Sequence, residues 1–161
     1  MKSVIYLRIA SALTLVHAAL HTIGGVFGKQ APGVETATVL VMKTNQFPVF
    51  GVTRSFWDFY LGMGLSVSIF LTFEALVFWQ LASLARYNAR QLRPILATFA
   101  LGYLVFAVNS YKYFFAGPVV VEVLIAAALG MAILTAPPAA TGVLYTSSLV
   151  DAVDLSLLQA I

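Results

Sequence analysis

Four apolar runs dominate the chain, at residues 4–27, 55–85, 95–115 and 118–136. Each is long enough to cross the roughly 30 Å hydrocarbon layer of a bilayer, which takes about 20 residues of helix. Backbone amides in lipid must satisfy one another, so such runs fold as helices, and short connections make sequential helices antiparallel neighbours. The expected fold is therefore all-α, an integral membrane four-helix bundle built by residues 1–136, with a tail at 137–161. Composition agrees: 61% of residues are hydrophobic, 9% are charged and the mean hydropathy is +0.94, too little charge to solvate a water-soluble surface.

Local signals set the boundaries. Lys2 and the apolar stretch after it have the outline of a signal peptide, but Arg8 interrupts the run and no small-x-small cleavage site precedes the polar loop, so the segment is expected to be a retained helix. Glycines in GGVFGKQAPG end it, and Pro32 blocks its resumption. Residues 28–54 mix β-branched and apolar residues with Glu35 and Lys43, which suits a short interfacial helix or a folded lid. Ser55, followed three residues later by Asp58, reads as a capping box, with Arg54 completing a structural charge pair with Asp58. The helix it opens is longer than the hydrocarbon core requires. Pro94 fits the first turn of the third span, AGP at 116–118 a tight turn, and Pro137 and Pro138 the end of the fourth span. In the tail, LVDAVDLSLL has the spacing of a short amphipathic helix on a membrane surface or a partner.

Arg86, Arg90 and Arg93 crowd the linker between the second and third spans, which places that linker, and with it both termini, on the cytoplasmic side. Lys2 and Arg8 join them there, against Lys29, Lys43, Arg54 and Lys112 on the other side. The net charge of +3 forms no basic patch, which argues against nucleic acid as a partner. Absence of cysteine removes disulfides, thiolate metal sites, CxxCH haem attachment and thiol redox chemistry.

The informative residues are polar groups that the membrane must tolerate. His17 and His21 lie one helical turn apart, with Thr14, Gly24, Gly25 and Gly28 extending a small, polar stripe. Counting the helical rise puts His17 near mid-bilayer, and places His21, Asn109 and Glu122 in an outer layer. Turned inward, these four would line a pocket rimmed by Tyr111, Lys112 and Tyr113. A carboxyl and an imidazole sharing a low-dielectric site suit proton transfer to and from a lipophilic substrate, isomerisation among the candidates. His17 and His21 equally suit one metal ion with Glu122 as a third ligand. As neighbours on one helix, however, they cannot ligate haem from both faces.

Structural readings stand beside these. The histidines serve as well as interhelical hydrogen-bonders, and Glu122 as a partner of Lys112. Glu74 and Arg8 share a leaflet and form the expected charge pair between the first two spans. Gly62 with Ser66, and Ala126 with Gly130, read as packing seams, while Trp57, Tyr60, Trp79, Tyr87, Tyr111 and Tyr113 read as interfacial aromatics.

RSFWDFYLGMGLSVSIF, preceded by a histidine-bearing first helix, resembles a group of short, uncharacterised bacterial membrane proteins over residues 1–136. That resemblance implies a multi-pass protein of the bacterial inner membrane and brings no reaction, cofactor or site residue. The layout is also similar to the emopamil-binding sterol isomerase class, none of whose local sequence patterns occur here, so this likeness is one of layout alone. Two functions stand as expectations. One is a pocket for a small lipophilic ligand, with His17, His21 and Glu122 as catalytic groups and Asn109, Tyr111 and Tyr113 as binding groups. The other is a non-catalytic accessory subunit of a larger respiratory or photosynthetic membrane complex. A proton pathway ranks behind both, since only Arg8 and Glu74 supply charge to the inner half.

Overall fold

The computed structural model describes residues 2–137; the expected tail helix lies outside the described residues. Helix α1 (Lys2–Leu20) runs without a break into a π-helical segment, His21–Val26. After a short loop come α2 (Val34–Thr44), strands β1 (Gln46–Val49) and β2 (Val52–Ser55), and the long helix α3 (Phe56–Asn88). Helices α4 (Arg93–Tyr113) and α5 (Ala116–Leu134) complete the fold. The first helix with its π-helical extension, α3, α4 and α5 are each long and apolar enough to cross a membrane.

Ser55 closes the start of α3 as the sequence predicts. Its side chain accepts from the Asp58 backbone, while the Asp58 carboxylate accepts from the Ser55 backbone at 2.7 Å. Pro94 sits in the first turn of α4. The break before α5 falls at Phe114 and Phe115 rather than at the AGP turn, so Pro118 lies inside the first helical turn, where its missing N–H leaves no ladder bond unmade.

Residues 28–54 contain a short helix, α2, and add to it a two-stranded antiparallel hairpin that pairs Gln46 with Ser55 and Val49 with Val52. Both turn residues, Phe50 (φ 44°) and Gly51 (φ 85°), lie in the left-handed region that a two-residue I′ turn demands. Glycine takes that conformation freely. For phenylalanine it costs about 1–2 kcal/mol, and the Phe50 side chain is fully exposed at the tip. At the base of the hairpin, Phe47 packs on Phe56 and Phe59 of α3.

Helix α1 packs against α3 on one side and α5 on the other, and α4 packs on α5. The α3–α4 seam is filled by large rings: Phe78 meets Phe99 edge-on at 5.0 Å and Tyr103 at 6.2 Å. Interhelical hydrogen bonds fix the antiparallel registers, Ser3 with Thr135 between α1 and α5, and Ser11 with the Ala75 carbonyl between α1 and α3. On the side of the α3–α4 linker the core is apolar and dense, with Leu7, Phe78, Leu96, Ile125 and Leu129 wholly buried and Ala10, Ala82 and Ala132 letting backbones approach. The outer surface is equally apolar, since Ile5, Leu15, Val16, Phe70, Phe73, Leu101 and Val105 all point outward, consistent with helices that can cross a membrane.

The seams divide. Ala126 is buried against the core, whereas Gly62 and Ser66 face outward and the Ser66 hydroxyl bonds back to the Gly62 carbonyl. Gly64 on α3 is a true close approach: a Cβ there would stand 3.0 Å from the side chain of Val26, the last residue of the π-helical segment.

Candidate functional site

On the hairpin side the apolar core gives way to polar side chains drawn from all four long helices. Helix α1 supplies Thr14 and His17, because its inward stripe follows the i, i+3, i+4 spacing of Leu7, Ala10, Thr14 and His17. The Thr14 hydroxyl donates to the Ala10 carbonyl at 2.9 Å. Helix α4 supplies Tyr103 and Ser110 on one stripe with Ala107 between them. Helix α3 supplies Ser68 and Glu74, and α5 supplies Glu122.

Two clusters result. In the first, Tyr103 donates its hydroxyl to the Glu74 carboxylate at 2.6 Å, with Thr14 at 3.4 Å. In the second, the buried Ser110 hydroxyl donates to Oε1 of Glu122 at 2.9 Å, and Glu122 is itself only 4% exposed. Its Oε2 is buried with no hydrogen-bond partner, and so is Nδ1 of His17, a residue 9% exposed. These two orphaned atoms share a depth. From the level of the Ser3–Thr135 hydrogen bond, His17 is 14 residues along α1 and Glu122 is 13 residues along α5, each a rise of about 20 Å.

His21 stands apart from this layer. As the first residue of the π-helical segment it turns toward α3, where its Nδ1 is 3.0 Å from the Ser68 hydroxyl, which also accepts from Thr22 at 2.8 Å. A π-helical turn adds a residue to the helical repeat and re-aims every side chain beyond it, a distortion that recurs at functional sites.

The remaining expected residues go elsewhere. Asn109 is exposed on the outward face of α4, in a shallow groove with Thr98, Leu101, Gly102, Val105 and Phe106. The inward position belongs to its neighbour Ser110, which the sequence reading missed. The spacing of Tyr103, Ala107 and Ser110 at i, i+4 and i+7 carried that signal. Tyr111 and Tyr113 are 82% and 65% exposed and line no pocket with Glu122. Lys112 lies over the Tyr113 ring at 5.0 Å, while Glu122 takes Ser110 as its partner.

The expected Arg8–Glu74 pair gives way to separate partners. Arg8 places its guanidinium 3.3 Å from the centroid of the Trp79 ring and donates to Ser83 at 3.2 Å, whereas Glu74 is held by Tyr103. Each charge has another partner at hand: Arg8 extends along α3 toward the linker, while Glu74 meets the Tyr103 hydroxyl of α4. Arg54 and Asp58 stay together near the start of α3, but the capping box fixes Asp58, and Arg54 donates to the Thr53 carbonyl at 2.8 Å. Among the described residues no three His, Cys, Asp or Glu side chains are grouped to hold a metal ion, so the two histidines gain no third ligand from Glu122.

Comparison with protein-family models, with curated proteins and with solved structures gives no match.

Proposed function

We propose that the polar layer on the hairpin side of the bundle binds a small lipophilic molecule and exchanges protons with it, Glu122 and His17 being the proton-handling pair. One observation carries this reading: a buried carboxylate oxygen and a buried imidazole nitrogen, on helices packed against each other and at one depth, both lack a partner within the protein. Buried polar atoms without partners are costly, and a fold that keeps two of them in one layer has a use for their hydrogen-bonding capacity. Below them Leu7, Phe78, Leu96 and Leu129 seal the bundle, so the layer is a blind site rather than a path across the membrane.

An isomerisation suits such a pair because it balances within the site. One C–H bond of the ligand breaks and its proton passes to the imidazole, a double bond shifts, the Glu122 carboxyl delivers a proton to another carbon, and the imidazolium then returns its proton to the Glu122 carboxylate. Ser110 fixes the carboxyl by holding Oε1, which leaves Oε2 to face the ligand. His21 and Ser68 bound the layer toward the hairpin. We place the arginine-rich linker on the cytoplasmic face of a bacterial inner membrane, which opens this layer toward the outer leaflet.

Native mass spectrometry of the full chain extracted from its membranes in mild detergent tests the reading. A stoichiometric small-molecule adduct is expected on the wild type and lost in His17→Ala and Glu122→Gln, with folding checked by circular dichroism. Retention in both folded variants refutes the site. A second reading, an accessory subunit of a larger membrane complex, is favoured by Asn109, whose amide lies on the outward face of α4 beside Gly102. Co-purification with unrelated larger chains, lost in Asn109→Leu, is its expected signature.

A further inference from the structure

Helix α2 is built inside out. Its half-buried residues, Val39 and Met42, mark the face turned to the protein, and that half of the helix also carries both of its charges. Lys43 lies over the Trp57 ring at 4.8 Å, and the Glu35 carboxylate accepts from the Ala31 backbone N–H at the helix start. The opposite face presents Ala37, Leu40 and Val41, with Val34 at its edge, and all four are exposed, Val34 at 84%. Hydroxyls on this side bond internally: Thr38 donates to the Val34 carbonyl at 2.8 Å and Thr44 to the Leu40 carbonyl at 3.0 Å. A helix of 11 residues is marginal by itself in water, and this one buries no residue fully.

The same inversion recurs at the hairpin. A side chain that prefers burial is fully exposed at the tip, on a backbone conformation that Phe disfavours, while the neighbouring strand exposes Val52. Val26 meets Gly64, so the first two turns of α3, residues 56–63, project roughly 12 Å past the end of the π-helical segment and carry α2 and the hairpin with them. Phe59, Tyr60 and Met63 are exposed there and continue the outward apolar surface of Val67 and Phe70 lower on the same helix. Helix α2 and the hairpin pack on α3 beside this surface, Lys43 over Trp57 and Phe47 against Phe56 and Phe59.

From this we infer that α2 and the Phe50 hairpin tip are a lipid-binding device, seated in the interfacial layer of the bilayer with Val34, Ala37, Leu40, Val41 and Phe50 toward the acyl chains. Polar satisfaction within α2 is what such a medium demands. Glu35 and Lys43, turned toward α3 and the headgroup level, set the depth.

The cysteine-free chain makes the test direct. Full-length variants Glu35→Cys, Val41→Cys, Lys43→Cys and Phe50→Cys, each carrying an environment-sensitive fluorophore, are reconstituted in vesicles of phosphatidylcholine with a minority of phosphatidylglycerol. Shallow nitroxide lipids and aqueous iodide serve as opposing quenchers. Labels at 41 and 50 are expected to be quenched by the lipid nitroxide about twofold or more beyond labels at 35 and 43, with iodide showing the reverse order. Iodide quenching of 41 and 50 without a lipid effect would overturn the inference in favour of a water-facing lid. Protection from both quenchers that disappears on dilution with lipid would overturn it in favour of a second copy of the chain. All four positions are exposed; Glu35→Cys gives up the contact with the Ala31 N–H and Lys43→Cys the one with Trp57, so folding of each variant is checked by circular dichroism, and a folded Leu65→Cys, nearer the core on α3, calibrates the depth scale.

Discussion

The two halves of the bundle are made of the same helices and differ in what fills them. Toward the α3–α4 linker, Leu7, Phe78, Leu96 and Leu129 close the interior completely. Toward the hairpin, the same helix faces offer Thr14, His17, Ser68, Ser110 and Glu122, with two buried atoms left unbonded. The linker half has its own unbonded buried atoms, Nη1 of Arg8 and Nε of Arg93, so what separates the halves is the ring-and-leucine packing of one and the carboxyl and imidazole layer of the other. A chain selected for stability alone would fill both halves with leucine.

That contrast can be broken by substitution. The largest effect is expected from Phe78→Ala, which empties the ring contact between α3 and α4 and should cost about 3–5 kcal/mol in a reversible unfolding assay in mixed micelles. If it costs no more than a surface substitution, the linker-side core is not what holds the helices. Tyr103→Phe comes next, leaving the Glu74 carboxyl without its donor for a loss of about 1–3 kcal/mol in the same assay. Ser55→Ala, removing one arm of the capping box, should cost roughly 1 kcal/mol. Glu122→Gln sharpens the comparison from the other side. Gln keeps an oxygen for Ser110, so stability should change by less than about 1 kcal/mol while the small-molecule adduct disappears. Asn109→Ala, on the outward face, is expected to shift stability by no more than about 0.5 kcal/mol and to leave the adduct untouched.

The helical architecture was legible because long apolar runs leave few choices. An apolar run of span length has to be a helix, and a Ser-x-x-Asp start has to be capped, so the four long helices and the α3 capping box could be read directly. Helix phase was harder. Asn109 and Ser110 are adjacent, about 100° apart on the helix, and choosing the more polar of the two misplaced the inward position that the Tyr103 stripe assigns to serine. Pairing charges by leaflet erred in a similar way, since Arg8 reaches toward the linker to Trp79 and Ser83 while Glu74 joins Tyr103 of α4. The hairpin was hidden because its turn is Phe-Gly where the usual signal is Asn-Gly, and because QFPV and VTRS lack a clean alternation. Nothing in HTIGGV announces a π-helical turn, which depends on how Val26 must seat against α3.

That π-helical turn has an evolutionary consequence. Geometrically it is one residue inserted into an otherwise regular helix, so a single-codon deletion within residues 21–26 would heal it to ordinary α-helix. Side chains beyond the deletion would keep nearly their present directions, because one α-helical residue fewer turns the chain through about the same angle as the π-helical segment, so Val26 would still meet Gly64. The extra residue is thus absorbed where it stands, and related chains with or without it should both keep a small side chain in place of Gly64.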